Sequence, residues 1–170
     1  MLVIYTTLFL ALIISLITDM KSRRILNIIT FPVILIGIGF YSITQGWDGF
    51  FFSSFGFLTG IGTLLIPFIL GGMGAGDVKL MGAIGAMMGS AFTLKAFFII
   101  ALLGGVISLI LILRKKGFFN VMKLLYLMPL LLSGNPGLLN LNYQDKSKIV
   151  FPYGVPIVLG TLITMVWGVV

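Results

Sequence analysis

Long apolar runs, separated by short polar or glycine-rich stretches, are the dominant pattern of the chain. Six runs stand out, at residues 2–18, 28–44, 50–71, 77–92, 95–113 and 149–170. Because a helix needs ~20 apolar residues to cross a bilayer, runs of this kind predict membrane-spanning helices. The fourth run is the shortest and contains Lys79, so it is expected to tilt or to thin the bilayer locally. The pattern therefore predicts an all-α fold, a polytopic membrane helix bundle with six transmembrane helices in a single domain over residues 1–170.

The segment 117–132 does not fit this pattern. Its apolar residues are interrupted by Lys123 and Pro129, and basic residues at both ends keep its flanks on one side of the membrane. We predict one interfacial or re-entrant helix here, followed by a polar loop.

Composition agrees with a membrane protein. Hydrophobic residues make up 59% of the chain and charged residues only 9%, with a mean hydropathy of +1.22. The eleven basic and four acidic residues give a net charge of +7, which in a soluble protein would suggest a nucleic-acid partner. In a membrane protein the same charge is better explained by topology and by contact with anionic lipid, so no nucleic-acid partner is expected.

The basic residues lie mainly in alternate loops. Ten of the eleven occur in "DMKSRRILN", "GAGDVK", "LRKKGFFNVMK" and "QDKSK", whereas "QGWDG" contains none. Since positively charged loops stay in the cytoplasm, we predict a multi-pass protein of the cytoplasmic (inner) membrane with both termini outside.

Twenty-two glycines are concentrated in the third to fifth runs. Pairs such as Gly56 with Gly60, and Gly82 with Gly85, are spaced so that two helices can approach closely. Most of these glycines are therefore expected to serve helix packing.

The chain has few groups capable of chemistry. It contains no Cys and no His, which excludes thiolate chemistry, Cys-based zinc sites and a histidine base. All four acidic residues are aspartates. Asp48 lies in a predicted outer turn and Asp145 lies among lysines, so both are expected to be solvated surface charges.

Asp19 and Asp77 are different because each lies at the end of a predicted span. A charged Asp at the membrane centre costs roughly 2.5–3.5 kcal/mol, so such residues usually face a partner, a cavity or a function. Counting spans from an outside N-terminus places both at the cytoplasmic boundary. The preceding "GMGAG" is expected to allow positive φ and to present main-chain N–H groups to a carboxylate.

Two carboxylates at the same depth can meet across a helix bundle and share one proton. One then takes a proton from water while the other hydrogen-bonds the scissile carbonyl, as in aspartic proteases. This chemistry requires neither a metal nor another cofactor.

Three stretches resemble a known family. "GAGDVKLMGAIG" resembles the GxGD motif of intramembrane aspartyl proteases, and its surroundings resemble the type IV prepilin peptidase family. "TDMKSRRILNIIT" is similar to that family's segment of Asp, basic residues and Ile-Pro-Asn, although Leu26 stands where the family often has proline. "FPYGVPIVLG" resembles its Pro-Tyr-Gly element. The three occur in the family's order along nearly the whole chain.

The resemblance implies a membrane aspartic endopeptidase that cleaves the basic leader from prepilin-like precursors at the cytoplasmic face. Asp19 and Asp77 would be catalytic, and Gly74 and Gly76 would shape a loop that receives the substrate. Lys79 either supports Asp77 or contacts the substrate, or is only an interfacial lysine. Without the cysteine motifs of longer members, the chain resembles a short form without methyltransferase activity, as in systems with tight-adherence (Flp) pili.

Two alternatives stay open at the level of the sequence. An ion- or proton-coupled transporter would use the same aspartates as a relay, although we find no internal repeat. A non-catalytic membrane scaffold would leave the glycine turn unexplained. The sequence identifies neither the particular substrate nor the oligomeric state.

Overall fold

The computed structural model describes residues 2–22, 25–132 and 153–168, with side chains in all of these except 111–132. These residues form four α-helices and no strand: α1 (Leu2–Ser22), α2 (Asn27–Ile69), α3 (Ala75–Leu132) and α4 (Gly154–Trp167). By its contacts the chain divides into two units, Met1–Gly104 with Pro152–Val170, and Gly105–Phe151. The hydrophobic core lies in the first of these units.

Three stretches of helix are long and apolar enough to cross a membrane: Leu2–Ser22, Asn27–Ile69 and Ala75–Ile110. Large apolar side chains are exposed along all three, among them Ile43 at 87% and Phe98 at 69%. Such surfaces are stable in lipid rather than in water. The predicted all-α membrane fold is therefore confirmed.

The predicted number of six spans is not confirmed. The second and third apolar runs lie together in α2, and the fourth and fifth runs continue in α3 as far as Leu132. The segment 117–132 is thus the end of α3 and not a separate helix. The sixth run is represented by α4, which has 14 residues; its predicted beginning at 149–152 lies outside the described residues.

Helix α2 folds back on itself at Gly46. This glycine has φ 65° and ψ −137°, values that interrupt the helix. Gly37 and Ser53, on either side of it, both contact Ala86, although a straight helix would separate them by ~24 Å. The two arms of α2, residues 27–45 and 47–69, therefore pack against the same part of α3.

Gly46→Ala is expected to destabilise the protein by about 1–3 kcal/mol, because a side chain disfavours this backbone conformation. An added Cβ would have no atom within 4 Å, so the cost is conformational rather than steric. Thermal unfolding in detergent would measure it. The matched control is Gly39→Ala in the same helix, where space is equally open and φ is not positive; equal stability of the two variants would contradict the prediction.

Glycines allow the second arm of α2 to cross α3 with the two backbones in contact. A Cβ added to Gly56 would overlap the carbonyl of Gly85, and a Cβ on Gly85 would overlap that of Gly56. Gly60 lies equally close to Met81. The close helix approach predicted from the glycine spacing is thus present.

A left-handed glycine also interrupts α3. Gly89 has φ 80°. Carbonyls in the turn before it accept hydrogen bonds from side chains on the two arms of α2. Tyr41 Oη donates to Met87 O at 3.0 Å, and Ser53 Oγ donates to Ala86 O at 2.7 Å. Carbonyls near a helix interruption need such donors because the helical ladder supplies fewer of them.

Helix α1 packs against α2 and α4. Its buried positions recur at helical spacing and form one continuous face: Ile4, Leu8, Ala11, Leu12, Ser15 and Asp19. Asp19 is therefore directed into the bundle by the same periodicity that buries the apolar residues.

Candidate active site

Glycines form the connection between α2 and α3, both at the C-terminal end of α2 and at the N-terminal end of α3. After Leu70, Gly71 has φ 74° and its N–H donates to Phe68 O, while Gly72 N–H donates to Pro67 O. This pair of bonds is a Schellman motif, which favours glycine in the left-handed position. The positive φ expected within "GMGAG" thus falls one residue earlier, at Gly71.

The Asp77 side chain caps the first turn of α3. The Gly74 N–H donates to Asp77 Oδ2 at 3.0 Å, and the Asp77 N–H donates to Gly74 O at 3.1 Å. An acidic side chain three residues into a helix that binds the N-cap N–H is half of a capping box. The Gly74-to-Asp77 spacing therefore fixes the carboxylate beside its own turn, where it is only 8% exposed.

Gly76 has a different role from Gly74. A Cβ on Gly76 would lie 2.9 Å from Ile25 Cβ and 3.1 Å from Ile25 O. Glycine therefore lets the connection between α1 and α2 lie directly on the first turn of α3. Gly74 itself is exposed.

Asp19 is held by the beginning of α4. It is 5% exposed, and its Oδ2 accepts the Gly154 N–H at 3.0 Å. Gly154 is the first residue of α4, so the carboxylate lies at the positive end of a helix dipole.

Asp19 in α1 and Asp77 in α3 are both buried, and they lie within range of an electrostatic interaction with each other. Tyr153, which precedes Gly154, is also within electrostatic reach of Asp77. Burial raises the pKa of the Tyr153 phenol, and the charge of Asp77 raises it further.

The Lys79 ammonium donates to Asn27 Oδ1 at 2.9 Å. It forms no ion pair with Asp77. The bond to Asn27 links the first turns of α2 and α3 at the surface. Asp48 is exposed as expected, whereas Arg23, Arg24 and Asp145 lie outside the described residues.

Comparison with known proteins identifies the family. Residues 6–109 match the type IV leader peptidase family. The chain belongs to the type IV leader peptidase family. No curated protein and no solved structure matches the chain.

Membership of this family confirms the resemblance and indicates a membrane protease. The residues matched to the type IV leader peptidase family include Asp19 and Asp77 but end before α4. Family membership gives no support to the transporter alternative.

Three residues that contact the candidate site were absent from the predicted set: Ile25, Tyr153 and Gly154. The signal for two of them was present in "FPYGVPIVLG", which the resemblance to the leader peptidase family had already singled out. Nothing in the local sequence indicates that Ile25 packs against Gly76, because that contact depends on the approach of two segments about fifty residues apart.

Proposed function

We propose that the chain is an aspartic endopeptidase that removes the basic leader from prepilin-like precursors, with Asp19 and Asp77 as its catalytic pair. The observation that supports the proposal is a pair of buried carboxylates, one on α1 and one on α3, within electrostatic range of each other. Each of them accepts a main-chain N–H from a glycine at a helix start. A packing role alone gives no reason for two neighbouring carboxylates in an apolar bundle.

The chemistry follows from one proton shared by the pair. The ionised carboxylate removes a proton from water, and the hydroxide equivalent attacks the scissile carbonyl carbon. The protonated carboxylate donates a hydrogen bond and then its proton to the carbonyl oxygen. Collapse of the tetrahedral intermediate breaks the C–N bond, and the leaving amine takes the proton that the first carboxylate removed from water. As the carbonyl re-forms, one hydroxyl of the intermediate returns its proton to the second carboxylate.

The substrate is proposed to be a precursor with a positive leader followed by an apolar helix. The apolar helix would enter the bilayer while the leader stays in the cytoplasm, which brings the junction to the depth of the pair. Exposed Gly74 is available to the extended substrate backbone, whereas Gly76 is covered by Ile25 and supports the site from behind. Anionic lipid is the proposed partner of the basic loops.

The proposal is tested with purified protein in lipid nanodiscs and a prepilin-like substrate, with release of the leader measured by mass spectrometry. We expect cleavage at a single bond by the wild type and none by the double variant Asp19→Asn with Asp77→Asn. A substrate that lacks the apolar helix is the matched control and should be cleaved poorly. Equal cleavage by the wild type and the double variant would exclude this function.

Lys79→Met tests whether Lys79 belongs to the machinery. Its bond to Asn27 is exposed, so we expect a stability loss below about 1 kcal/mol and cleavage within about threefold of the wild type. Initial rates and thermal unfolding measure the two effects. Asn27→Ala removes the same bond from the other side and is the control. A hundredfold loss in Lys79→Met but not in Asn27→Ala would place Lys79 on the substrate.

A further inference from the structure

The beginning of α4 is joined to Asp19 by a main-chain hydrogen bond. The Gly154 N–H donates to Asp19 Oδ2 at 3.0 Å, and Gly154 itself is buried. The residues are 135 positions apart in the chain. A main-chain donor has no rotamers, so it orients an acceptor more strictly than a long side chain does.

Only glycine fits at position 154. A Cβ there would lie 2.5 Å from Asp19 Oδ2, 2.9 Å from Cγ and 3.0 Å from Cβ. Contacts this short require one of the groups to move, and the Asp19 side chain is too short to move without leaving its place in the site. The absence of a side chain at 154 therefore determines where the carboxylate lies.

We propose that Gly154 is a positioning residue of the site and that it sets the orientation of the Asp19 carboxylate. This inference rests on the proposed function for its kinetic consequences, but its geometric part is independent of any activity. It extends the site to the last helix, beyond the residues matched to the family.

The geometric part is tested by disulfide trapping in membranes. The chain has no cysteine, so Asp19→Cys with Gly154→Cys gives a clean background. The 3.0 Å between the two Cβ positions is near the ~3.5–4.5 Å of disulfides, so rapid cross-linking with mild oxidant is expected. The control pair is Asp19→Cys with Gly62→Cys, because a Cβ at 62 has no atom within 4 Å. Cross-linking no faster than in the control pair would overturn the proposal.

The kinetic part is tested with one variant and a control. Gly154→Ala is expected to lower kcat about a hundredfold with KM within about threefold of the wild type, because it displaces the Asp19 carboxylate from its orientation. Gly104→Ala is the control, since its Cβ would meet Pro156 at an ordinary 3.8 Å.

The outcomes separate this inference from the proposed function. If Asp19→Asn and Asp77→Asn abolish cleavage while Gly154→Ala keeps the wild-type kcat, the positioning role is wrong and the function stands. If the Asn variants cleave normally, the function itself is wrong. Should Gly154→Ala fail to accumulate, the cysteine pair decides, because it requires only that the two positions meet.

Discussion

Asp19→Asn and Asp77→Asn are each expected to reduce leader cleavage by about a thousandfold or more, since acid–base groups contribute ~10²–10⁴ and the two members act as a unit. Asparagine preserves the shape of the side chain and keeps an oxygen that accepts the Gly154 or Gly74 N–H. It removes the proton and the charge on which the reaction depends. Initial rates, normalised to the amount of folded protein, would measure the effect.

The capping bond of Asp77 provides a control within the same residue. Asp77→Ala removes both the titrating group and the bond from Gly74, so it should be as inactive as Asp77→Asn and less stable by about 1 kcal/mol. A role in capping alone predicts the opposite, with Asp77→Asn active and only Asp77→Ala impaired. Asp48→Asn, at an exposed position, should cleave like the wild type.

Gly85→Val is expected to have the largest effect on stability, about 3 kcal/mol or more, because it inserts a branched side chain between two backbones. The first atom added would already overlap the Gly56 carbonyl, and main-chain atoms cannot rotate away. Loss of this size is a large fraction of ordinary protein stability, so little folded protein should accumulate in the membrane. Size-exclusion profiles and thermal unfolding in detergent would measure it.

Gly62→Val is the matched control for this substitution. Gly62 lies on the same arm of α2 as Gly56, but a Cβ there meets no atom within 4 Å. It should accumulate to the wild-type level and unfold at a similar temperature. If Gly62→Val and Gly85→Val are equally stable, the backbone contact between α2 and α3 is not what holds the arms together.

The helical architecture was predictable from hydropathy, but the way in which α2 and α3 are interrupted was not. Predicted boundaries near 45–49 and 93–94 lie close to Gly46 and Gly89, which have positive φ. A hydropathy pattern registers a gap in apolar residues, yet it does not distinguish a loop from an interruption at a single left-handed glycine. For α3, Lys123 and Pro129 suggested a separate segment because such residues often end a span, whereas the helix continues to Leu132.

For the candidate site, the sequence indicated two carboxylates, whose catalytic role stays a prediction. The small number of acidic residues and the count of spans were enough to expect Asp19 and Asp77 to meet. The partners of these carboxylates were not predictable in the same way, because the Gly154 and Ile25 contacts arise from tertiary packing. Gly74 and Gly76 were expected to act together, but one supplies an N–H to Asp77 and the other makes room for Ile25.

The bond between Asp19 and Gly154 also has a consequence for biogenesis. Helix α1 is synthesised first, yet the donor that orients its aspartate belongs to α4 and leaves the ribosome 135 residues later. During insertion the two aspartates are therefore both present before this contact exists. The order of translation thus delays the completed arrangement until α4 has docked, so that a partly made chain in the membrane lacks this geometry.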